Sequence, residues 1–253
     1  MNGNAFQTYL DVVRRLRKEC PWDREQTPES LRQSFLEEVY EAIEAIDHKN
    51  WGELKKELGD ILLHVVLQSI IAEEGSHFTL LEVIEASSEK LIRRHPHVFG
   101  DLKVRDAAHV KTNWEKLKRH EGRTSALDGV PKELPALLRA ARLQDKASKV
   151  GFDWKEPKAV WTKVEEEIVE LKAAVSHGAQ PHVEEELGDL LFALSNYARF
   201  IHANPEFVLQ RANEKFKRRF QFIEQELQKE GKLPEQVSLE EMDVLWNKSK
   251  ITL

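Results

Sequence analysis

The tetrapeptide Glu-Leu-Gly-Asp occurs twice in this chain, at residues 57–60 in ELGDILLHVV and at 186–189 in ELGDLLFALS. Each copy sits where a charged stretch gives way to an apolar one. The repetition extends upstream. Aligning SFLEEVYEAIEAI (34–46) with KVEEEIVELKAAV (163–175) pairs Glu38 with Glu167 and Glu41 with Glu170, at the same offset of 129 residues that superposes the two ELGD segments. A repeat of this length constrains the fold more than any other feature, because two copies of one pattern imply two copies of one structural unit.

The echo continues with small shifts. SEKLIRRHPHVF carries Lys90 and Arg94, and NEKFKRRFQFI carries Lys215 and Arg219. NWEKLKRH carries Trp114 and Lys118, and LWNKSK carries Trp246 and Lys250. CPWD (20–23) and GFDW (151–154) form a looser match. Between the copies lies RHEGRTSALDGVPKELP, rich in loop formers. The expected organisation is a first domain over residues 1–125, a linker over 126–134 and a second domain over 135–253, each an ordinary domain size.

Both units read as helical. Leu31, Phe35, Val39, Ile43 and Ile46 recur at helical spacing. DHKNWGE then breaks the pattern, and a helix over about 53–72 follows, apolar at nearly every angle beyond Leu58 as a buried helix is. In the second copy VSHGAQPH makes the connection, and such short links imply antiparallel neighbours. A third helix carries Lys90 and Arg94, and a fourth segment Trp114 and Lys118. With only 11 glycines and 9 prolines, the chain is expected to be all-α, two tandem helical bundles related by the repeat.

Composition excludes several functions. A net charge of −6 argues against a nucleic-acid partner. The single cysteine, Cys20, rules out an intrachain disulfide and suits a reducing compartment. The longest apolar run, ILLHVVLQSII, is broken by His64 and Gln68 and is too short to span a bilayer, and the first residues lack an apolar signal core. A soluble, cytoplasmic protein with no membrane partner is expected.

The chemistry resides in the acids. Glu38 and Glu41 share a helical face, as do Glu57 and Asp60, and an antiparallel pair of helices brings the four together. Four anions in a small dry volume repel, so they need a cation or must take up protons. Ordinary surface salt bridges are the competing reading, and the repeat tests it. Lys56 precedes Asp60 by four, but its counterpart is Glu185; Lys163 precedes Glu167 by four, but its counterpart is Ser34. The cations change between copies while the acids stay. An all-oxygen donor set suits Mg²⁺, or Mn²⁺, rather than zinc. A di-iron oxidoreductase competes, but it uses Glu-x-x-His on two helices, whereas this motif is Glu-x-x-Asp. His64 has Ala193 as its counterpart and reads as a satisfied helix histidine; His95 and His97 have no counterparts. A nucleotide-sensing module without turnover is the other competitor.

Magnesium bound by carboxylates commonly recruits substrate phosphates. Lys90 with Arg94, and Lys215 with Arg219, each offer two cations on one helical face, a point charge and a planar fork. Trp114 with Lys118 and Trp246 with Lys250 could close each site. Trp22 and Trp154 could stack on a base or fill the core.

These motifs resemble MazG-type nucleoside triphosphate pyrophosphohydrolases of the all-α NTP pyrophosphatase superfamily, in their two-domain form. The resemblance rests on EExxE followed by ExxD, present as Glu37-Glu38-Val39-Tyr40-Glu41 with 57–60 and as Glu166-Glu167-Ile168-Val169-Glu170 with 186–189, and on CPWD, RRHPHVFG, VGFDW and LWNKSK. It implies Mg²⁺-dependent hydrolysis of nucleoside triphosphates to monophosphate and pyrophosphate, broad base tolerance, a house-cleaning role and a homodimer. It implies that Glu167, Glu170, Glu186 and Asp189 are the metal and catalytic set, with Lys215, Arg219, Trp246 and Lys250 on the substrate. In two-domain relatives the second unit is the active one. Here the first unit keeps the corresponding types, Glu38, Glu41, Glu57, Asp60, Lys90, Arg94, Trp114 and Lys118, so no motif marks it as silent. One glutamate, such as Glu38 or Glu167, could serve as general base; spacing alone does not choose among the acids.

Overall fold

The structure, a computed structural model, describes residues 3–106, 109–110, 113–114 and 125–252. The described residues form helices and no strand. The chain divides into two compact units, Met1–Trp114 and Glu115–Leu253.

The first unit begins with α1 (Gly3–Glu19) and the short α2 (Pro21–Glu25), whose proline at the first helical turn loses no hydrogen bond there. The repeat's acids follow on α3 (Arg32–Asp47) and α4 (Trp51–Glu74), with α5 (Leu80–Arg94) and α6 (Pro96–Phe99) behind them. Helix α4 is central and packs against α1, α3 and α5. Its core contacts are Val66, Leu67 and Ile70, closed over by Val13, Leu31 and Leu80. Arg17 ties α1 to the end of α4 through Glu74 at 2.7 Å and also donates to the carbonyl of Gln26 at 3.0 Å. Thr79 and Glu82 form a reciprocal cap at the start of α5.

Helix α4 starts earlier than its sequence pattern suggests. Asn50 caps it, its side chain accepting from the Glu53 backbone N–H at 3.1 Å, so Trp51, Gly52 and Glu53 are the first turn rather than connection. Nor is α4 buried all round: Leu58, Leu62 and Val65 form an exposed stripe along it.

The second unit contains α7 (Ala136–Ser148), α8 (Pro157–His177), α9 (Gln180–Phe200), α10 (Pro205–Lys229), a 3₁₀ turn at Pro234–Gln236 and α11 (Leu239–Thr252). Helices α8 and α9 form the tightest pair, α7 packs on α9, and α10 packs on α7 and α11. Val160, Val164, Ala174, Ala193, Ile223 and Leu227 are buried. Before α7, the carbonyl of Asp128 accepts from the buried Lys146 of that helix at 2.8 Å.

The connection between the two acid-bearing helices turns on a left-handed residue in both units. In the second it is Gly178, φ +74°, and in the first Lys49, φ +54°, at the matching repeat position. Glycine takes this conformation freely and lysine does so at a cost. The second stripe matches as well, since Leu187, Leu191 and Leu194 are exposed on α9 at the positions of Leu58, Leu62 and Val65.

Candidate active site and metal centre

In the first unit, carboxylate oxygens of Glu38 and Glu41 from α3 and Glu57 from α4 lie within 4.8 Å of one another. Glu57 is only 5% exposed. Burial first, then the negative charges of Glu41 and Glu38 and a hydrogen bond with Glu53, push its carboxyl up to about 7. Asp60 lies one turn further along α4 and is exposed; its charge bears on Tyr9 and His64. Tyr9 of α1 reaches this turn, its hydroxyl donating to the carbonyl of Gly59 at 3.5 Å.

His64 is buried against the Phe35 ring, with centroids 5.2 Å apart. It is not the satisfied histidine the sequence suggests: among the described residues its Nδ1 has no hydrogen-bond partner. Burial lowers its pKa, opposed by the charges of Glu38 and Asp60.

In the second unit the converging set is Glu167 from α8 with Glu186 and Asp189 from α9, again within 4.8 Å. Glu170 is exposed one turn along α8. Its pKa is raised, by burial of its carboxyl and by Glu167, Glu186 and Glu166, against the pull of Lys163. Lys163 is the main difference from the first unit. Its Nζ lies 2.7 Å from Glu167 and 2.6 Å from Glu166, and these hydrogen bonds raise its pKa. His182 stands on the other side, 3.6 Å from Glu186.

These donor sets fit a hard divalent cation. Every donor is a carboxylate oxygen, the oxygens converge from two successive helices, and burial, followed by the charges of its neighbours, raises the carboxyl of the most enclosed acid of the first set to about 7. In the second set a lysine ammonium already sits where positive charge is called for.

The second acid set opens onto a cavity of about 560 Å³, a size that takes a small-molecule ligand. Glu167, Asp189 and Lys163 stand in its wall with the apolar Leu143, Val160 and Phe192. Trp154 also lines it. Trp22, its loose counterpart, is exposed.

The far wall is held by a network without a local sequence signal. Arg199 of α9 donates through Nη1 to Asp153 at 2.9 Å and through Nε to Asn196 Oδ1 at 3.0 Å, and it lies over the Phe200 ring at 4.5 Å. Asp153 belongs to the turn between α7 and α8 that also bears Phe152 and Trp154, so Arg199 fixes that turn against α9. Gln144 of α7 donates to the carbonyl of Phe192 at 2.8 Å, joining a third helix to the wall.

The predicted substrate residues gather in part. Arg219 of α10 lies 5.6 Å from the Trp246 ring of α11, and Phe216 packs on the same ring at 5.3 Å. Lys250 turns to Asn247 on its own helix at 2.7 Å, and Lys215 is exposed. In the first unit Trp114 packs edge-on against His95 at 4.9 Å, and Arg94 is half-buried at the end of α5, with Lys90 exposed a turn earlier. Lys118 lies outside the described residues. Among those described, no ion pair joins these cations to the acid sets.

A sequence model of the "MazG nucleotide pyrophosphohydrolase domain" matches residues 26–99 and 155–222, one segment per unit and each containing an acid set. Over 98% of its length the chain is 44% identical to the "Nucleoside triphosphate pyrophosphohydrolase/pyrophosphatase MazG" of Thermotoga maritima, covering 96% of that protein. It is 40% identical to the "Nucleoside triphosphate pyrophosphohydrolase" of Escherichia coli K12, covering 97% of it. It is also 48% identical to the "Uncharacterized protein YabN" of Bacillus subtilis, of which it spans 52%.

Proposed function

The chain belongs to the MazG nucleotide pyrophosphohydrolase family, and we propose from its two acid sets that it hydrolyses ribo- and deoxyribonucleoside triphosphates with broad base tolerance, using Mg²⁺, in nucleotide-pool house-cleaning. As an enzyme it is a nucleoside triphosphate pyrophosphohydrolase, releasing monophosphate and pyrophosphate. The observation that carries the metal reading is the convergence of carboxylates from two successive helices in each unit, opening in the second onto a cavity.

Glu38, Glu41, Glu57 and Asp60 would hold the ion in the first unit, and Glu167, Glu170, Glu186 and Asp189 in the second. Mg²⁺ supplies positive charge against the triphosphate and Lewis acidity toward the reacting phosphoryl group. One glutamate of the set, Glu38 or Glu167, takes the proton from a water that attacks the α-phosphorus, and the α–β anhydride bond breaks with pyrophosphate leaving. Arg219 and Lys215, with Arg94 and Lys90 in the first unit, offset charge on the departing pyrophosphate. Trp246 and Lys250, with Trp114 and Lys118, complete the substrate contacts. The apolar walls of the cavity exclude water, which strengthens each of these interactions.

The working form in this reading is a cytoplasmic homodimer. The stripe of Leu58, Leu62 and Val65 and its repeat at Leu187, Leu191 and Leu194 support the dimer, because apolar side chains exposed in register on two related helices are suited to burial against a second copy. Among the described residues no helix is long and apolar enough to cross a membrane. The test is product analysis with ATP and dTTP in the presence of Mg²⁺. Monophosphate with pyrophosphate is expected; diphosphate with orthophosphate would overturn the assignment of the attacked phosphorus.

A further inference from the structure

The two acid sets share their carboxylates but not their surroundings. In the second unit the Lys163 ammonium, on α8, lies 2.7 Å from Glu167 and 2.6 Å from Glu166, and His182, on α9, lies 3.6 Å from Glu186. In the first unit the position of Lys163 is Ser34 and that of His182 is Glu53. Lys56, the nearest lysine of α4, pairs with Glu53 at 2.8 Å instead of entering the set. One set thus has an ammonium in direct contact with one of its converging carboxylates, and the other has its nearest lysine held on Glu53, outside the converging three.

We propose, building on the metal reading above, that Lys163 is a resident counter-ion that competes with a divalent cation for the second acid set, so that the two units bind free metal unequally and the first takes it more tightly in the absence of nucleotide. The geometry makes the competition direct. Glu167 is 5% exposed and belongs to the converging oxygens, and Lys163 contacts that carboxylate. A cation approaching Glu167 must displace the ammonium from it or meet its repulsion. Lys163 has room to leave, since its side chain is 37% exposed and lines the cavity as well as the acid set. An anion arriving in that cavity gives the displaced ammonium a new partner. The second unit is thereby biased toward taking metal together with a polyanionic ligand, whereas the first is open to the free ion.

The substitutions that test this are written in the repeat. Lys163→Ser gives the second unit the residue of the first, and Ser34→Lys does the reverse. Each is measured by titrating the full chain with Mn²⁺ alone and following free ion by electron paramagnetic resonance. Glu57→Gln in the background silences the first set when the second is read, and Glu186→Gln silences the second when the first is read. Circular dichroism confirms that each variant is folded. The expected result is a gain in Mn²⁺ affinity of about fivefold to tenfold for Lys163→Ser and a loss of similar size for Ser34→Lys, the scale of a partly exposed ion pair against a nearly buried carboxylate. Affinities unchanged within about twofold by both exchanges, with Mn²⁺ still bound, would overturn the role of Lys163 and leave the metal reading standing. Failure of every variant and of the unsubstituted chain to bind Mn²⁺ would overturn both.

Discussion

Replacing Arg199 by methionine isolates what holds the cavity wall. The substitution keeps most of the apolar stem and removes the guanidinium. Two groups then lose the guanidinium, Asp153 keeping the Trp154 backbone N–H at 2.9 Å. Asp153, whose side chain is 26% exposed, forfeits an ion pair that is neither fully buried nor at the surface. Exposed pairs contribute about 0.2–1 kcal/mol and breaking fully buried ones costs about 3–5 kcal/mol, which places this pair near 1–2 kcal/mol. Asn196 is buried, and its Oδ1 loses the donors that satisfy it, at about 1–2 kcal/mol. The combined cost is about 2–4 kcal/mol, enough to lower the melting temperature of the second unit by about 10 °C or more. Differential scanning calorimetry reads that shift. Because Asp153 shares its turn with Phe152 and Trp154, the same variant is expected to raise KM more than it lowers kcat, the cavity losing its rigid wall while the acids stay in place. Asp153→Asn, which keeps the shape and part of the hydrogen bonding, should cost less than half as much. A melting temperature within about 2 °C of the parent for Arg199→Met would refute the reasoning, since it would mean the network contributes no more than the solvent that replaces it.

Other predictions follow from the acid sets and the helix connections. Glu41→Gln combined with Glu170→Gln should abolish triphosphate hydrolysis, and undiminished turnover of the double variant would remove the acids from the mechanism. With the Glu57 carboxyl at about 7 in the folded chain against an ordinary value near 4.5, the metal-free first unit is favoured at low pH and loses stability as pH rises from about 5 through 7. Mg²⁺ favours the ionised acid, so the Mg²⁺-induced rise in melting temperature should be small at pH 5 and larger at pH 8, with Glu57→Gln flattening the metal-free pH dependence. Lys49→Gly should stabilise the first unit by about 0.5–1 kcal/mol in denaturant melts, because the backbone there already has the left-handed φ that glycine prefers. Leu62→Glu with Leu191→Glu should shift the chain to monomer in light scattering; an unchanged mass would place the dimer contact elsewhere.

Some of this architecture was written in the residues and some was not, and the difference is one of range. Acids three apart on helices joined by a short link can be placed on one face by arithmetic, and Glu38, Glu41 and Glu57 do converge, as do Glu167, Glu186 and Asp189. The bond from Arg199 to Asp153 joins residues 46 apart across a turn, and no periodicity announces it. Lys163 is visible in the sequence as a lysine four residues before Glu167, but only the fold sets its ammonium against the acid set rather than in solvent. The apolar run of α4 suggested a helix enclosed by its own domain, yet Leu58, Leu62 and Val65 are open. Hydrophobic pattern reports that a face seeks burial without saying which chain buries it. The early start of α4 has a similar cause, since Asn-Trp-Gly reads as a break until the Asn50 side chain is seen accepting from Glu53.

The left-handed residue between the acid-bearing helices carries one more consequence. Gly178 and Lys49 hold the same turn with side chains that have nothing in common, so what has persisted at this joint is the count of residues and the direction the chain must leave in. The joint behaves as a spacer of fixed length rather than as a motif. Exchanging residues 48–50 with 177–179 between the halves should therefore leave both folds intact, whereas deleting one residue from either joint would rotate the following helix by about 100° about its axis and turn its carboxylates away from their partners. The two halves can trade parts at this position, and neither can be shortened there.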